Sequence, residues 1–167
     1  MVNWSLVGAM FLPNVGGWMS TLTMIGQVKK QEGNAWYQVI KKPSWTPPNW
    51  VFGPAWTVLY TSMGAASYMV YRDCGGFTES AVLPLSLYGG QLVMNWMWTP
   101  LFFGYHRIGL ALVHMLVLDG AAVACARSFG AVNTTAGCLM LPYLAWLAYA
   151  TTLNYSIWKL NKDDKKN

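Results

Sequence analysis

Charged side chains are scarce in this sequence. Only 10% of its 167 residues are Asp, Glu, Lys or Arg, and 54% are hydrophobic. A soluble domain carries about 25% charged residues, and its helices need a polar face. The long apolar windows of this chain show no polar face that lasts several turns. A soluble all-α core is therefore the weaker alternative, and a membrane protein is the favoured interpretation.

Cysteine is scarce too, and the usual catalytic and targeting patterns are missing. The three cysteines show no CxxC or metal-ligand spacing, which predicts neither a disulfide framework nor a metal site. No Ser/His/Asp set or phosphate loop is found, so no catalytic residue is predicted. The first apolar stretch lacks a basic n-region and a cleavage site, and Pro13 interrupts it. We expect a retained helix rather than a signal peptide.

Long apolar runs and aromatic residues dominate what is present. A transmembrane helix needs about 20 mostly apolar residues, and five stretches reach that length with Asp119 as their only charge. Ten Trp and nine Tyr are typical of side chains at membrane interfaces. The sequence predicts a single all-α membrane domain over 1–167, a five-transmembrane-helix bundle. Its expected parts are helices at about 4–27, 50–71, 80–103, 108–126 and 134–158, a lid loop at 28–49 and a tail at 159–167.

The basic residues are divided unequally between the two faces that five crossings would create. Nine lie in the first loop, the third loop and the tail, whereas only Arg72 and Arg127 lie in the second and fourth loops. Basic residues stay on the cytoplasmic side, which predicts a cytosolic C-terminus. Orientation and attraction to anionic lipid explain these charges, so we expect membrane lipid and no nucleic acid as a partner.

The third predicted helix has two distinct faces. At 100° per residue, Tyr88, Gln91 and Asn95 form one stripe with Trp98, which we expect to face the bundle interior. Hydrogen bonding between helices explains the two amides at least as well as ligand contact. On the opposite side, Ser86-x-x-x-Gly90 is a pair of small residues that would let helices approach closely.

Four runs of sequence carry a resemblance to a known family. They are KPSWTPPNWVFGPAWTVLY (42–60), GGFTE (75–79), NWMWTPLFFG (95–104) and LPYLAWLAYATTLNYSIWKLN (141–161). In order and spacing they resemble the translocator protein (TspO/MBR, peripheral-type benzodiazepine receptor) family, its animal members more than its bacterial ones. The resemblance covers nearly the whole chain.

The resemblance implies a function as well as a fold. It implies a receptor and translocator in the mitochondrial outer membrane, active as a homodimer without a required cofactor. Cholesterol, protoporphyrin or haem, and benzodiazepine-like compounds are the implied ligands of a cavity in the bundle, with roles in cholesterol transport and tetrapyrrole handling. Two alternatives stay open. One is enzymatic, the light- or oxygen-dependent degradation of protoporphyrin attributed to bacterial members, and the other is a small transporter or channel.

The same resemblance indicates candidate ligand-binding residues. For the aromatic ones, packing within the bundle is the simpler alternative explanation. Trp56 and Trp146 match the family's two cavity tryptophans. Leu110 and His114 stand where vertebrate members carry a tryptophan and an acid. The predicted pocket is Trp56, Tyr60, Asn95, Trp98, Leu110, His114, Trp146, Ala150 and Leu153, and the predicted lid residues are Trp36, Trp45, Pro47, Pro48 and Trp50.

Two smaller sites complete the expectations. Leu153, Tyr155 and Lys159 fit the cholesterol pattern L/V-x-Y-x-R/K, a permissive pattern that an interfacial tyrosine and a snorkelling lysine also satisfy. Ser86 and Gly90 are the expected dimer interface, at a position similar to the one that dimers of the family use.

Overall fold

The computed structural model describes residues 3–28 and 36–162, and all regular structure within these ranges is helical. This confirms the all-α prediction. A long helix covers all or most of each of the five predicted stretches. The elements are α1 (Trp4–Val28), α2 (Trp36–Val39), α3 (Asn49–Asp73), α4 (Glu79–Thr99), a π-helical turn (Pro100–Gly104), α5 (Ile108–Val132), α6 (Thr134–Leu139) and α7 (Leu141–Asn161).

Two of the described helical segments, Ile108–Val132 and Thr134–Asn161, are long and apolar enough on their own to cross a membrane. Helices α1, α3 and α4 have sufficient length, but their Trp, Tyr, Gly and Asn residues lower the hydropathy. The helical content therefore agrees with a membrane bundle, and the number of crossings stays a prediction.

Several predicted boundaries need correction. Helix α5 continues past the exposed Arg127 to Val132, instead of ending near residue 126. The predicted last helix is divided, because Pro142 lies at the start of α7 and has no N–H to continue the preceding helix. The Asn133 side chain accepts a hydrogen bond from the Ala136 amide at 2.9 Å and so begins α6.

The lid, the third helix and the tail also differ from expectation. The lid loop contains a short helix, α2, and its residues 29–35 lie outside the described ranges. The predicted third helix ends as an α-helix at Thr99 and continues as the π-helical turn, in which the Tyr105 N–H donates to the Pro100 carbonyl at 3.0 Å. Helix α7 extends to Asn161, so the predicted tail begins within a helix, and residues 163–167 are outside the described ranges.

Contacts between loops define the two ends of the bundle. At one end the Asn161 side chain bonds the backbone of Lys41, and the Trp36 ring stacks on His106 with centroids 4.2 Å apart. At the other end the Asn133 amide donates to the Asp73 carboxylate at 2.5 Å. The first loop, the third loop and the end of α7 thus share one end, and the second and fourth loops share the other.

Glycines allow α1 to pack closely against its neighbours. A Cβ added at Gly64 of α3 would lie 2.2 Å from the Ala9 carbonyl oxygen of α1. A Cβ at Gly17 of α1 would lie 2.4 Å from the Tyr60 ring. Real Cβ atoms do not approach this closely, so the α1–α3 contact depends on small residues, as in other membrane helix pairs.

Candidate functional site

A cavity of about 410 Å³ lies within the bundle, between α1, α3, α4, α5, α7 and the lid. Its size falls in the usual range for small-molecule sites. Seven of the nine predicted pocket residues line it, namely Trp56, Tyr60, Asn95, Trp98, Trp146, Ala150 and Leu153. The fold therefore brings together residues that are up to about a hundred positions apart in the sequence.

Aromatic rings are prominent in the cavity wall, where they belong to ten of the 24 lining residues that the structure describes. Trp56 stacks on Tyr60 with centroids 5.2 Å apart and meets Trp146 edge to face at 6.3 Å. Phe52 meets Trp146 edge to face at 6.0 Å. On the π-helical turn, Phe102 stacks on Trp98 at 4.9 Å. Such a wall offers flat, polarisable faces to a planar or polycyclic ligand.

A chain of neutral hydrogen bonds runs from the cavity into the core. The Tyr60 hydroxyl donates to Asn95 Oδ1 at 2.5 Å, and Asn95 Nδ2 donates to the Tyr143 oxygen at 3.1 Å. The Tyr143 hydroxyl in turn donates to Gln91 Oε1 at 2.7 Å. The polar stripe predicted on the third helix thus faces the interior. Its amides bond tyrosines of other helices, as expected of polar groups in an apolar bundle.

Charged side chains are absent from the cavity lining in the part of the chain that the structure describes. A cation lies beside the lining at the lid, where Lys42 Nζ donates to the Tyr37 carbonyl at 2.7 Å and lies 4.3 Å from the centre of its ring. Partial burial holds the pKa of the Lys42 ammonium below its usual value. The cavity favours an uncharged ring system, and Lys42 supplies a positive charge at the lid.

The lid is fixed to the helix ends by polar and aromatic contacts. Lys41 N–H donates to Asn161 Oδ1 at 3.0 Å, and Asn161 Nδ2 donates to the Lys41 carbonyl at 2.8 Å. Of the predicted lid residues, Trp50 lines the cavity and Trp36 packs on His106. Trp45 meets Tyr149 edge to face at 5.7 Å. The prolines Pro47 and Pro48 lead into α3 and do not line the cavity.

Two predicted pocket residues lie elsewhere. Leu110 is 53% exposed on the outer surface of α5. His114 is half-buried, and its Nε2 is 2.7 Å from the Met94 carbonyl oxygen of α4. The face of α5 that meets the cavity carries Met115 and Leu118 instead. Leu110 and His114 each come one position before a buried residue, Ala111 and Met115. Successive residues of an α-helix point about 100° apart, so the two predicted residues lie away from the interior.

The residues of the cholesterol pattern do not share a face. Leu153 is buried and lines the cavity, whereas Tyr155 is 48% exposed and Lys159 is exposed on the outside of α7. The expected dimer residues Ser86 and Gly90 are exposed, and a Cβ added at Gly90 would meet no atom within 4 Å. Tyr155, Lys159 and the two expected dimer residues thus lie on outward surfaces, where their roles stay predictions.

Sequence reasoning missed several cavity residues. Asn14 and Gly17 of α1 line it, as do Tyr37 of the lid and Asn154 of α7. The adjacent glycines Gly16 and Gly17 were the available signal, since paired glycines within a helix indicate close approach. The four motifs that carry the resemblance begin at residue 42, so they gave no guidance for α1.

Asp119, the single acid within a predicted span, faces α7. The Thr151 hydroxyl donates to Asp119 Oδ2 at 2.8 Å. The acid therefore has a partner on another helix rather than His114 on its own helix. No cluster of three His, Cys, Asp or Glu that could hold a metal ion occurs in residues 3–28 and 36–162.

Comparison with known proteins decides the family. The sequence profile of the TspO/MBR family matches residues 9–159. The chain belongs to the TspO/MBR family. It is 46% identical to the translocator protein of Sus scrofa over 156 residues, which are 93% of this chain and 89% of the relative. It is 53% identical to that of Homo sapiens over 130 residues, or 78% and 77% of the two chains.

A bacterial relative is also similar in sequence, at lower identity than the mammalian ones. The tryptophan-rich sensory protein of Cereibacter sphaeroides is 40% identical over 126 residues, or 75% of this chain and 77% of the relative. Family membership and the apolar helices make this TspO/MBR protein an integral membrane protein of the translocator and receptor type. The names of the relatives describe translocation and sensing, which suggests a role other than catalysis.

Proposed function

We propose that this TspO/MBR protein binds an apolar polycyclic ligand in the aromatic cavity beneath the lid, and that the ligand is a porphyrin or a sterol. Protoporphyrin, haem, cholesterol and benzodiazepine-like compounds share rigid, largely apolar rings. The observation that carries the proposal is the uncharged 410 Å³ cavity walled by Trp56, Trp98 and Trp146. Stacking on such rings contributes about 0.5–1.5 kcal/mol per pair beyond area burial.

The charges around the cavity suit a porphyrin in one orientation. Its ring would lie among the tryptophans, and its two propionate groups would point to the lid. There Lys42 sits over Tyr37, and the basic residues Lys41 and Arg107 lie in the loops at the same end of the bundle. Carboxylates placed at the opposite, inner end would meet only neutral hydrogen bonds, which is unfavourable in an apolar site.

Cholesterol is proposed to contact α7 from outside as well. The Tyr155 ring and the Lys159 ammonium are exposed near the end of the helix, where a sterol could stack and form a hydrogen bond near the interface. The resulting role is the movement or sensing of sterol and tetrapyrrole at the membrane.

The membrane arrangement is also a proposal. Five crossings with a cytosolic lid and C-terminus agree with the charge count and with the loops that share each end of the bundle. A homodimer in the mitochondrial outer membrane is proposed from the family resemblance alone. Cysteine labelling in intact organelles tests the orientation, and a tail protected from cytosolic reagent would contradict it.

A matched pair of alanine variants tests the cavity. Ala150 lines the cavity, whereas Ala148 on the same helix is exposed and outside the lining. Ala150→Leu should weaken protoporphyrin IX binding in nanodiscs at least about tenfold, because the added carbons enter the space of the ligand. Ala148→Leu should leave binding unchanged. Equal affinities for the two variants would refute the cavity as the binding site.

A further inference from the structure

A second, open groove lies on the outside of the bundle between α3 and α7. Aliphatic and aromatic side chains line it, and the smaller ones include Pro54, Ala55 and Val58 of α3 and Ala145 of α7. Its lining has no charged side chain in the part of the chain that the structure describes. From Trp50 to Leu59 it follows α3 for roughly 13 Å at 1.5 Å per residue. In a membrane this surface faces lipid.

Two tryptophans belong both to this groove and to the inner cavity. Trp50 and Trp146 line the cavity on one side and the groove on the other. A side chain that lines two spaces is the partition between them. Rotation of the Trp146 indole about its own side-chain bonds would therefore join the cavity to the bilayer without movement of a helix.

The contacts of Trp146 are of a kind that permits such a rotation. Its ring meets Phe52, Trp56 and Tyr149 edge-on or tilted, at centroid distances of 6.0, 6.3 and 5.6 Å. Its indole N–H has no hydrogen-bond partner among the described residues, although it is buried. A buried tryptophan N–H usually finds a partner. The orientation of this ring is thus held by packing, without a hydrogen bond to a described residue.

We infer that the α3–α7 groove is a lateral entrance through which an uncharged, bilayer-dissolved polycyclic ligand passes Trp146 into the cavity. The inference rests on the proposed function, because it supplies the route to the same cavity. A charged ligand would not use this route, since the groove offers no partner for a carboxylate. Carboxylate-bearing porphyrins would enter at the lid, where the basic residues lie.

Entrance and binding can be separated kinetically. A substitution that narrows the entrance raises the barrier for entry and exit equally, so association and dissociation slow together and Kd is unchanged. Ala145→Phe and, independently, Val58→Phe fill the groove from positions outside the cavity lining. Val117→Phe, at a position 58% exposed on α5, is a matched control on another lipid-facing surface.

The probe is protoporphyrin IX dimethyl ester, an uncharged fluorescent porphyrin, transferred from donor vesicles to the full-length protein in nanodiscs and followed by tryptophan quenching. Both groove variants should slow association and dissociation by about tenfold with an unchanged Kd. Val117→Phe should behave as the unaltered protein does. The free diacid should show unchanged rates in the groove variants.

Each other outcome overturns the inference in a distinguishable way. Unchanged ester rates in both groove variants, with faster rates when the lid is released by Asn161→Ala, would place the entrance at the lid. A changed Kd with an unchanged association rate would make the groove part of the binding site rather than an entrance. Absence of binding of both porphyrins by the unaltered protein would exclude a porphyrin as the cavity ligand and overturn the entrance inferred for it.

Discussion

Replacing Gly17 by alanine should disturb the cavity floor, which Tyr60 and Asn95 form, and should destabilise the fold. An ideal Cβ at Gly17 would lie 2.4 Å from Tyr60 Cε2 and 3.1 Å from Tyr60 Cδ2. The Tyr60 ring cannot move away cheaply. It stacks on Trp56 at 5.2 Å, and its hydroxyl donates to Asn95 Oδ1 at 2.5 Å.

The magnitude follows from three terms. Overpacking a well-filled interior costs about 1–3 kcal/mol. Displacing the Tyr60 hydroxyl leaves Asn95 Oδ1 buried without that donor, which costs about 1–3 kcal/mol. The higher helix propensity of alanine stabilises the helix by about 1 kcal/mol relative to glycine. The net loss of folding free energy should be about 3 kcal/mol.

Gly8→Ala is the matched control. Gly8 lies in the same helix α1, but a Cβ added there meets no atom within 4 Å. This variant should be neutral or more stable by up to about 1 kcal/mol.

Denaturant titration in mixed micelles measures both variants, and protoporphyrin IX titration in nanodiscs measures their affinity. Gly17→Ala should weaken the affinity in addition to the stability, because Tyr60 and Asn95 form the cavity floor. Equal stability and equal affinity of the two variants would refute the close approach of α1 to Tyr60, and with it the described cavity floor.

Three further predictions concern the surfaces around the cavity. Asn161→Ala removes two hydrogen bonds that hold the lid. Dissociation of protoporphyrin IX should therefore accelerate by about five- to thirty-fold in stopped-flow measurements. An unchanged rate would show that the lid does not control exit of the diacid. Tyr155→Ser combined with Lys159→Leu should weaken cholesterol binding and leave protoporphyrin binding intact, whereas proportional loss of both would contradict an outer sterol contact. Gly90→Leu should shift the protein towards monomer in detergent, and an unchanged dimer fraction would remove Gly90 from the interface.

The sequence determined the class of protein through quantities that need no neighbours. The rarity of charge and five apolar stretches predicted membrane helices, and a long helix covers all or most of each stretch. The four motifs indicated the family that the comparison then showed. The sequence also predicted the inner face of the third helix, because the amides of Gln91 and Asn95 would be costly to expose to lipid.

Only the tertiary structure could decide the inner faces of α1 and α5. A membrane helix is apolar all round, so its pattern does not distinguish a residue that meets lipid from one that meets a ligand. On α5 the resemblance led to Leu110 and His114 as pocket residues, and Met115 and Leu118 line the cavity instead. The same holds for Gly17 against Tyr60 and for Trp146 between two spaces. Both depend on which helices become neighbours, and a local pattern of residue types does not contain that information.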